Sequence, residues 1–118
     1  MGEPVSQSTY DLIRQAILEK QQVLATYHEH RRELCPHVLG EKNGQPHMLV
    51  YQFGGTSRRG PLGPDGSPEN WRCMFVDELS DVRLRAGEWH TARPTPGAAP
   101  EDRTPQNCVD AVDVSVRR

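Results

Sequence analysis

The sequence predicts a mainly β fold with one N-terminal helix, in which short antiparallel strands curl into a small SH3-like or Sm-like barrel. Helical spacing of apolar residues is confined to residues 8–21, and from residue 22 onward apolar residues alternate with polar ones in short runs. The 118 residues include ten prolines and ten glycines, which leaves room for one domain with a modest core. Curling is expected because five or six short strands in a flat sheet would leave exposed edges.

The helix is marked at its start by a capping pair. Tyr10, Ile13 and Ile17 recur at helical spacing and form one apolar face. Ser8 precedes them, and Asp11 follows three residues later, where its charge suits the positive end of a helix. We therefore expect a helix that begins after Ser8 and ends near residue 21.

The strands follow from the change of period and from turn residues. Pro36 lies within the second predicted strand and implies an edge, a bulge or a bend. Asn43 and Gly44 supply the positive φ angles of a tight hairpin turn. The predicted strands cover residues 23–28, 33–39, 47–53, 71–76, 81–85 and 112–116.

The chain divides by composition into a domain with flanking segments. Residues 1–7 are predicted to be flexible, and residues 8–90 to form the domain, with a mobile loop at 54–70 that is rich in glycine and proline. Residues 91–107 read as a proline-rich linker and residues 108–118 as a C-terminal strand. Long loops of this kind often carry function.

Composition excludes several classes of protein. Fourteen basic and sixteen acidic residues give a formal charge of -2, so a nucleic-acid contact would need a local basic patch. The N-terminus has no secretory signal pattern, and no apolar run is long enough to span a membrane. Three cysteines do not make a disulfide framework, so a reduced, cytoplasmic protein is expected. No nucleophile or carboxylate signature is present, and we expect neither catalytic residues nor a cofactor.

The stretch HRRELCPHVLG, residues 30–40, raises the question of a metal site. Cys35 and His37 project to the same face of a strand, so together they could supply two ligands. No C-x-x-C or H-x-x-x-H pair accompanies them, and structural zinc sites usually contain such pairs. The preferred interpretation is a small buried cysteine beside a hydrogen-bonded histidine, with no metal.

The order of these elements resembles the WYL domain of bacterial regulators over residues 10–85. The stretches RRELCPHVLG, NGQPHMLVYQFGG and NWRCMFVDELSDV carry the resemblance, and the matching positions are Tyr27, Arg32, Pro36, His37, Leu39 and Arg72. The tripeptide that names the family falls at 47–49, where only Leu49 agrees. A later family segment falls at 74–79, where Phe75 and Glu78 replace two arginines.

The resemblance implies a cytoplasmic sensor in transcription regulation that binds a nucleotide or a single-stranded nucleic acid through basic residues. Arg32 and Arg72 would bind phosphate, because guanidinium groups pair with it bidentately. Tyr27 and Gln52 would contact base or sugar, and His37 would complete the pocket. The alternative is a protein-interaction adaptor that acts by strand addition or as a homodimer docked through the helix. No membrane partner is expected.

Overall fold

The computed structural model of the protein describes residues 8–57, 60–64, 66–91, 109 and 111–112. Helix α1 covers Thr9–Glu19, and the strands are β1 (Gln22–Tyr27), β2 (His30–Lys42), β3 (Gln45–Gly55), β4 (Trp71–Phe75), β5 (Leu79–Arg85) and β6 (Ala111–Val112). Two single turns of 3₁₀ helix cover Pro68–Asn70 and Val76–Glu78. Among these residues no helix is both long and apolar enough to cross a membrane.

The capping residues of α1 confirm the predicted helix start. The Ser8 hydroxyl accepts a hydrogen bond from the Asp11 backbone N–H at 3.1 Å. At the other end, Lys20 adopts a left-handed conformation, with φ of 53° and ψ of 48°, and its N–H is directed to the carbonyls of Ala16 and Ile17. The helix ends there because this conformation turns the chain out of the helical path.

Two hairpins build the centre of the sheet. The β1–β2 turn consists of His28 and Glu29, both with positive φ, and the β2–β3 turn consists of Asn43 and Gly44, as the sequence predicts. The polar run at 28–32 is a shorter reversal than expected, since β2 already begins at His30. The register of β2 with β3 shifts between Pro36 and Val38, which confirms the predicted irregularity at the proline as a β-bulge.

The strands form one antiparallel sheet that is not closed. Its order is β4-β3-β2-β1-β5, and β6 pairs with the edge of β2 at Gly40 and Glu41. The mainly β class with one helix is therefore confirmed. In the part of the chain that the structure describes, β4 and β5 end the path without pairing with each other, although only three residues connect them. The predicted C-terminal strand is described only at 111–112, and its remainder lies outside the described residues.

Each face of the sheet buries its own hydrophobic cluster. The main core lies between α1 and the sheet and contains Ile13, Ala16, Ile17, Val23, Ala25, Tyr27, Leu34, Leu39, Met48, Val50, Met74, Val76 and Leu79. The other face carries a smaller cluster of Leu49, Tyr51 and Trp71, against which Val109 packs. Burial on both faces explains why β3 reads as an almost continuous apolar run.

The cysteines depart from the expected reduced state. Cys73 on β4 is disulfide-bonded, whereas Cys35 on β2 is a buried thiol outside any disulfide. The third cysteine, Cys108, lies outside the described residues. The sequence could not indicate this bond, because an isolated disulfide between distant cysteines has no spacing signature.

Candidate functional site

Three buried polar side chains lie at one end of the face that carries the main core. They are Arg32, Gln52 and Arg72, with exposed fractions of 5%, 0% and 7%. Each is two residues from a core residue on its own strand and therefore projects toward the same side of the sheet. Three strands thus place polar groups where the apolar core ends.

Arg32 is held in place by neutral groups. One guanidinium nitrogen donates to the Tyr27 backbone carbonyl at 3.0 Å, and the other donates to the Gln52 side-chain carbonyl at 3.3 Å. Its Nε is buried and has no hydrogen-bond partner among the described residues. The guanidinium carbon lies 5.2 Å from the centroid of the Tyr27 ring, within range of a cation–π interaction. The hydrogen bonds of this guanidinium therefore go to neutral acceptors.

Gln52 positions Arg32 and the chain that follows β3. Its amide nitrogen donates to the carbonyls of Gly54 at 3.0 Å and Thr56 at 2.9 Å, while its oxygen accepts from Arg32. These bonds use both of its amide hydrogens. Gln52 therefore orients the guanidinium, and its amide donors are already occupied.

Arg72 projects from β4 and donates to two backbone carbonyls. Its Nη1 bonds the carbonyl of Glu69 at 2.6 Å and that of Trp71 at 2.9 Å. These contacts link the guanidinium to the 3₁₀ turn that precedes β4. Arg72 is therefore an anchored cation beside Arg32 rather than a solvated surface residue.

Tyr27 connects this end of β1 with the end of β4. Its hydroxyl accepts a hydrogen bond from the Phe75 backbone N–H at 3.1 Å, and the His28 ring stacks on its ring with centroids 4.0 Å apart. Burial raises the pKa of the Tyr27 phenol, and Glu78 adds to this rise, whereas Phe75 and Arg32 oppose it. Tyr27 is only 6% exposed, so the exposed His28 ring presents the more accessible stacking surface.

A cavity of about 210 Å³ opens at this cluster. Its lining residues are Tyr27, His28, Arg32, Ser57, Arg72, Cys73 and Met74. Among the described residues no carboxylate lines the cavity, and Glu78 contacts His28, which does. The cavity therefore combines two arginines with hydrogen-bonding groups.

The electrostatics of the cavity favour an anion. Burial lowers the pKa of the Arg32 guanidinium, an effect that its interaction with Tyr27 opposes. Among the described residues Arg32 has no carboxylate partner. A buried charge without a counter-ion is unfavourable, and an anion in the cavity would relieve this cost.

The structure places His37 away from the other four predicted residues. His37 has no partner on β3, because it lies at the bulge between Pro36 and Val38. Its Nε2 donates to the His90 carbonyl at 3.2 Å on the opposite face of the sheet. Burial lowers the pKa of this imidazole, and Lys20 adds to the effect, whereas the bond to His90 opposes it. Cys35 beside it accepts a hydrogen bond from the His90 N–H at 3.3 Å. This arrangement agrees with the interpretation of a buried cysteine next to a hydrogen-bonded histidine.

Sequence reasoning missed four residues of the cavity, which are His28, Ser57, Cys73 and Met74. His28 adjoins Tyr27 in the turn and could have been found from that position. Ser57 belongs to the long loop, whose path no sequence pattern specifies. Within the described residues, no group of three or more histidine, cysteine or acidic side chains is placed to hold a metal ion.

Comparisons add no relative to this description. No protein-family model, curated protein or solved structure matches the chain. The candidate site is therefore argued from its own residues.

Proposed function

We propose that the protein is a non-enzymatic WYL-like module that senses a small anionic ligand, either a nucleotide or a short single-stranded nucleic acid. The observation that carries this proposal is the burial of Arg32 in a cavity without a carboxylate partner among the described residues. A phosphate in the cavity would pair with the guanidinium charge of Arg32. A regulatory role follows from the family resemblance rather than from the cavity.

The size of the cavity limits which part of the ligand it holds. Its volume of about 210 Å³ is below the roughly 300–1,000 Å³ of pockets that enclose a drug-sized molecule. We infer that a phosphate group enters between Arg32 and Arg72 and that the rest of the ligand stays outside. The exposed ring of His28 would stack on a base there, since histidine serves this purpose in RNA recognition.

The barrel and the location of the protein also belong to this proposal. An Sm-like barrel is supported by the strand order and by the hydrogen bond between Phe75 and Tyr27, which links β4 to β1. A cytoplasmic location suits a nucleotide sensor. The disulfide at Cys73 argues against it, because disulfides persist mainly in oxidising compartments.

The direct test is titration calorimetry of the protein with AMP and with inorganic phosphate. We expect saturable binding in the wild type and a loss of at least tenfold in affinity in Arg32→Gln. Lys20→Gln, which removes an exposed charge at the end of α1, serves as the charge-matched control. Equal affinities in all three proteins would reject Arg32 as the anion site.

A second measurement uses the wild type alone, so its result does not depend on whether Arg32→Gln folds. A ligand that binds only the folded state raises the free energy of unfolding by about 2.7 kcal/mol at a concentration of 100 times Kd. We therefore expect AMP to raise the Tm of the wild type progressively as its concentration increases above Kd. An unchanged Tm at saturating AMP would contradict the proposal without any variant.

The alternative function is a protein-interaction adaptor that uses strand addition or dimerisation. It is favoured by the pairing of β6 with β2 at Gly40 and Glu41, because this part of β2 extends past its pairing with β1. Light scattering would compare the full chain with a chain that ends at residue 105. A dimer that becomes a monomer on truncation, with AMP affinity unchanged, would support the adaptor. Two monomers would count against a role in dimerisation.

A further inference from the structure

A second cavity, of about 260 Å³, shares Arg32 with the first one. Its lining residues are Leu24, Arg31, Arg32, Glu33, Gly55 and Arg85. Leu24 and Glu33 are paired across the β1–β2 ladder, and they lie on the face of the sheet opposite the main core. The proposed function makes no use of this cavity.

The side chains around the second cavity carry an excess of positive charge. Arg85 donates to the side-chain oxygens of Glu33 at 2.8 Å and Gln22 at 2.7 Å, which commits the carboxylate of the cavity to an ion pair. Arg31 is exposed, and its guanidinium has no hydrogen-bond or ion-pair partner within the described part of the chain. Arg83, also exposed, pairs with Leu24 across the β1–β5 ladder. An anion here would meet cations from two strands.

The backbone keeps this cavity open. Gly55 has a φ of 84°, and a Cβ at this position would overlap the Arg31 carbonyl oxygen. The same carbonyl accepts a hydrogen bond from the Thr56 N–H at 3.0 Å, which fixes the chain on this side. A side chain therefore cannot fill the cavity from position 55.

The two cavities are close enough to serve one ligand. Arg32 lines both of them, while Gly55 lines the second and Ser57 lines the first. Two residues of extended chain span at most about 7 Å. Adjacent phosphates of an extended single strand are separated by about this distance.

We infer that the second cavity binds a further phosphate of the ligand that occupies the first one, and that the ligand is a single-stranded oligonucleotide rather than a mononucleotide. This inference rests on the proposed function, since it requires a phosphate at Arg32. Arg31 and Arg85 bind the additional phosphate. The sugar-phosphate backbone passes around the segment Gly55–Ser57, from one face of the sheet to the other.

The test compares ligands of different length on three proteins: the wild type, Arg31→Gln and Lys20→Gln. The ligands are AMP, inorganic tripolyphosphate and labelled oligothymidylates of two to eight nucleotides, each titrated at several salt concentrations. Arg31→Gln changes an exposed side chain, so its fold is expected to survive, and a thermal melt checks this. Lys20→Gln controls for the loss of one positive charge.

We expect oligothymidylates to bind the wild type more tightly than AMP and to lose about fivefold to tenfold in affinity in Arg31→Gln. The slope of log K against log salt should decrease by about 0.7, the value for one phosphate contact of a single strand. AMP should bind all three proteins equally, because its single phosphate cannot occupy both cavities. Tripolyphosphate, whose outer phosphates can span a separation of this size, should bind more weakly than the oligothymidylates, because it offers no base or sugar. Lys20→Gln should match the wild type throughout.

Different failures lead to different conclusions. If AMP binds through Arg32 but oligothymidylates bind no tighter, or if Arg31→Gln has no effect on them, the second site is rejected and the proposed function stands. Tripolyphosphate that binds more tightly than every oligothymidylate would reject the assignment to nucleic acid. If no anion binds at low salt, the proposed function fails, and the second site fails with it.

Discussion

Arg32 depends on Gln52 for its orientation, which makes this pair the most informative point for substitution. Gln52→Glu would place a carboxylate against the guanidinium, in the position of the present 3.3 Å hydrogen bond. We expect phosphate affinity to fall at least tenfold, because an internal counter-ion competes with the ligand. Titration calorimetry with inorganic phosphate checks this, and an unchanged affinity would show that the anion does not meet Arg32.

The same substitution tests the structural role of Gln52. A carboxylate cannot donate to the carbonyls of Gly54 and Thr56, so both hydrogen bonds are lost. Each carbonyl left unsatisfied should lower the free energy of unfolding by about 1–3 kcal/mol. The new ion pair with Arg32 acts in the opposite direction. Urea unfolding of the variant therefore measures the balance of the two effects, independently of ligand binding.

His37 should make the stability of the protein depend on pH. Burial lowers the pKa of its imidazole in the fold, so the unfolded chain, with a pKa near 6.5, binds the proton more readily. Stability from the neutral imidazole is therefore complete above about pH 6.5 and is lost as the pH falls through the window below it. We expect Tm to fall more between pH 7.5 and 5.5 in the wild type than in His37→Gln. Equal falls would show that His37 does not contribute.

Arg32 and His37 also illustrate what a sequence can indicate about a site. The two residues are five positions apart on one strand, and an odd separation places side chains on opposite faces. This separation alone predicts that Arg32 and His37 do not share a pocket. The family resemblance nevertheless placed both residues in one site. Arg32, Gln52 and Arg72 are two apart from core residues, so their convergence could be predicted, whereas the contribution of Ser57 required the path of the loop.

At the scale of an element, the C-cap residue of α1, Lys20, has a backbone conformation that a lysine does not favour. Lys20 has a φ of 53°, and a left-handed conformation costs a residue with a side chain roughly 1–2 kcal/mol. We expect Lys20→Gly to stabilise the protein by about 1 kcal/mol, because glycine adopts this conformation without the penalty. The midpoint of urea unfolding checks this. Lys20→Ala, which keeps the Cβ, should show no such gain.

Local signals explain which elements were predictable. The Ser8 cap and the Asn43–Gly44 turn depend on neighbouring residues alone, and both are found as expected. The length of β2 was underestimated because its polar start at 30–32 is stabilised by pairing with β1 rather than by residue preference. Closure of the sheet depends on contacts between β4 and β5, which no local pattern specifies.

At the scale of the molecule, the disulfide state of Cys73 can be measured directly. Denatured but unreduced protein should react with a thiol reagent at Cys35 and not at Cys73, because only Cys73 is disulfide-bonded. Reduction before labelling should add Cys73 to the modified residues, which peptide mass spectrometry would identify. Labelling of Cys73 without reduction would contradict the bond and favour a reducing compartment.

The burial of Arg32 has a further consequence for the protein in a cell. The buried guanidinium of Arg32 destabilises only the ligand-free protein, since a bound anion would compensate its charge. Proteases degrade the unfolded fraction, and a difference of 1–2 kcal/mol can change abundance several-fold. Ligand supply would then set the lifetime of the protein, so that its concentration as well as its occupancy follows the signal.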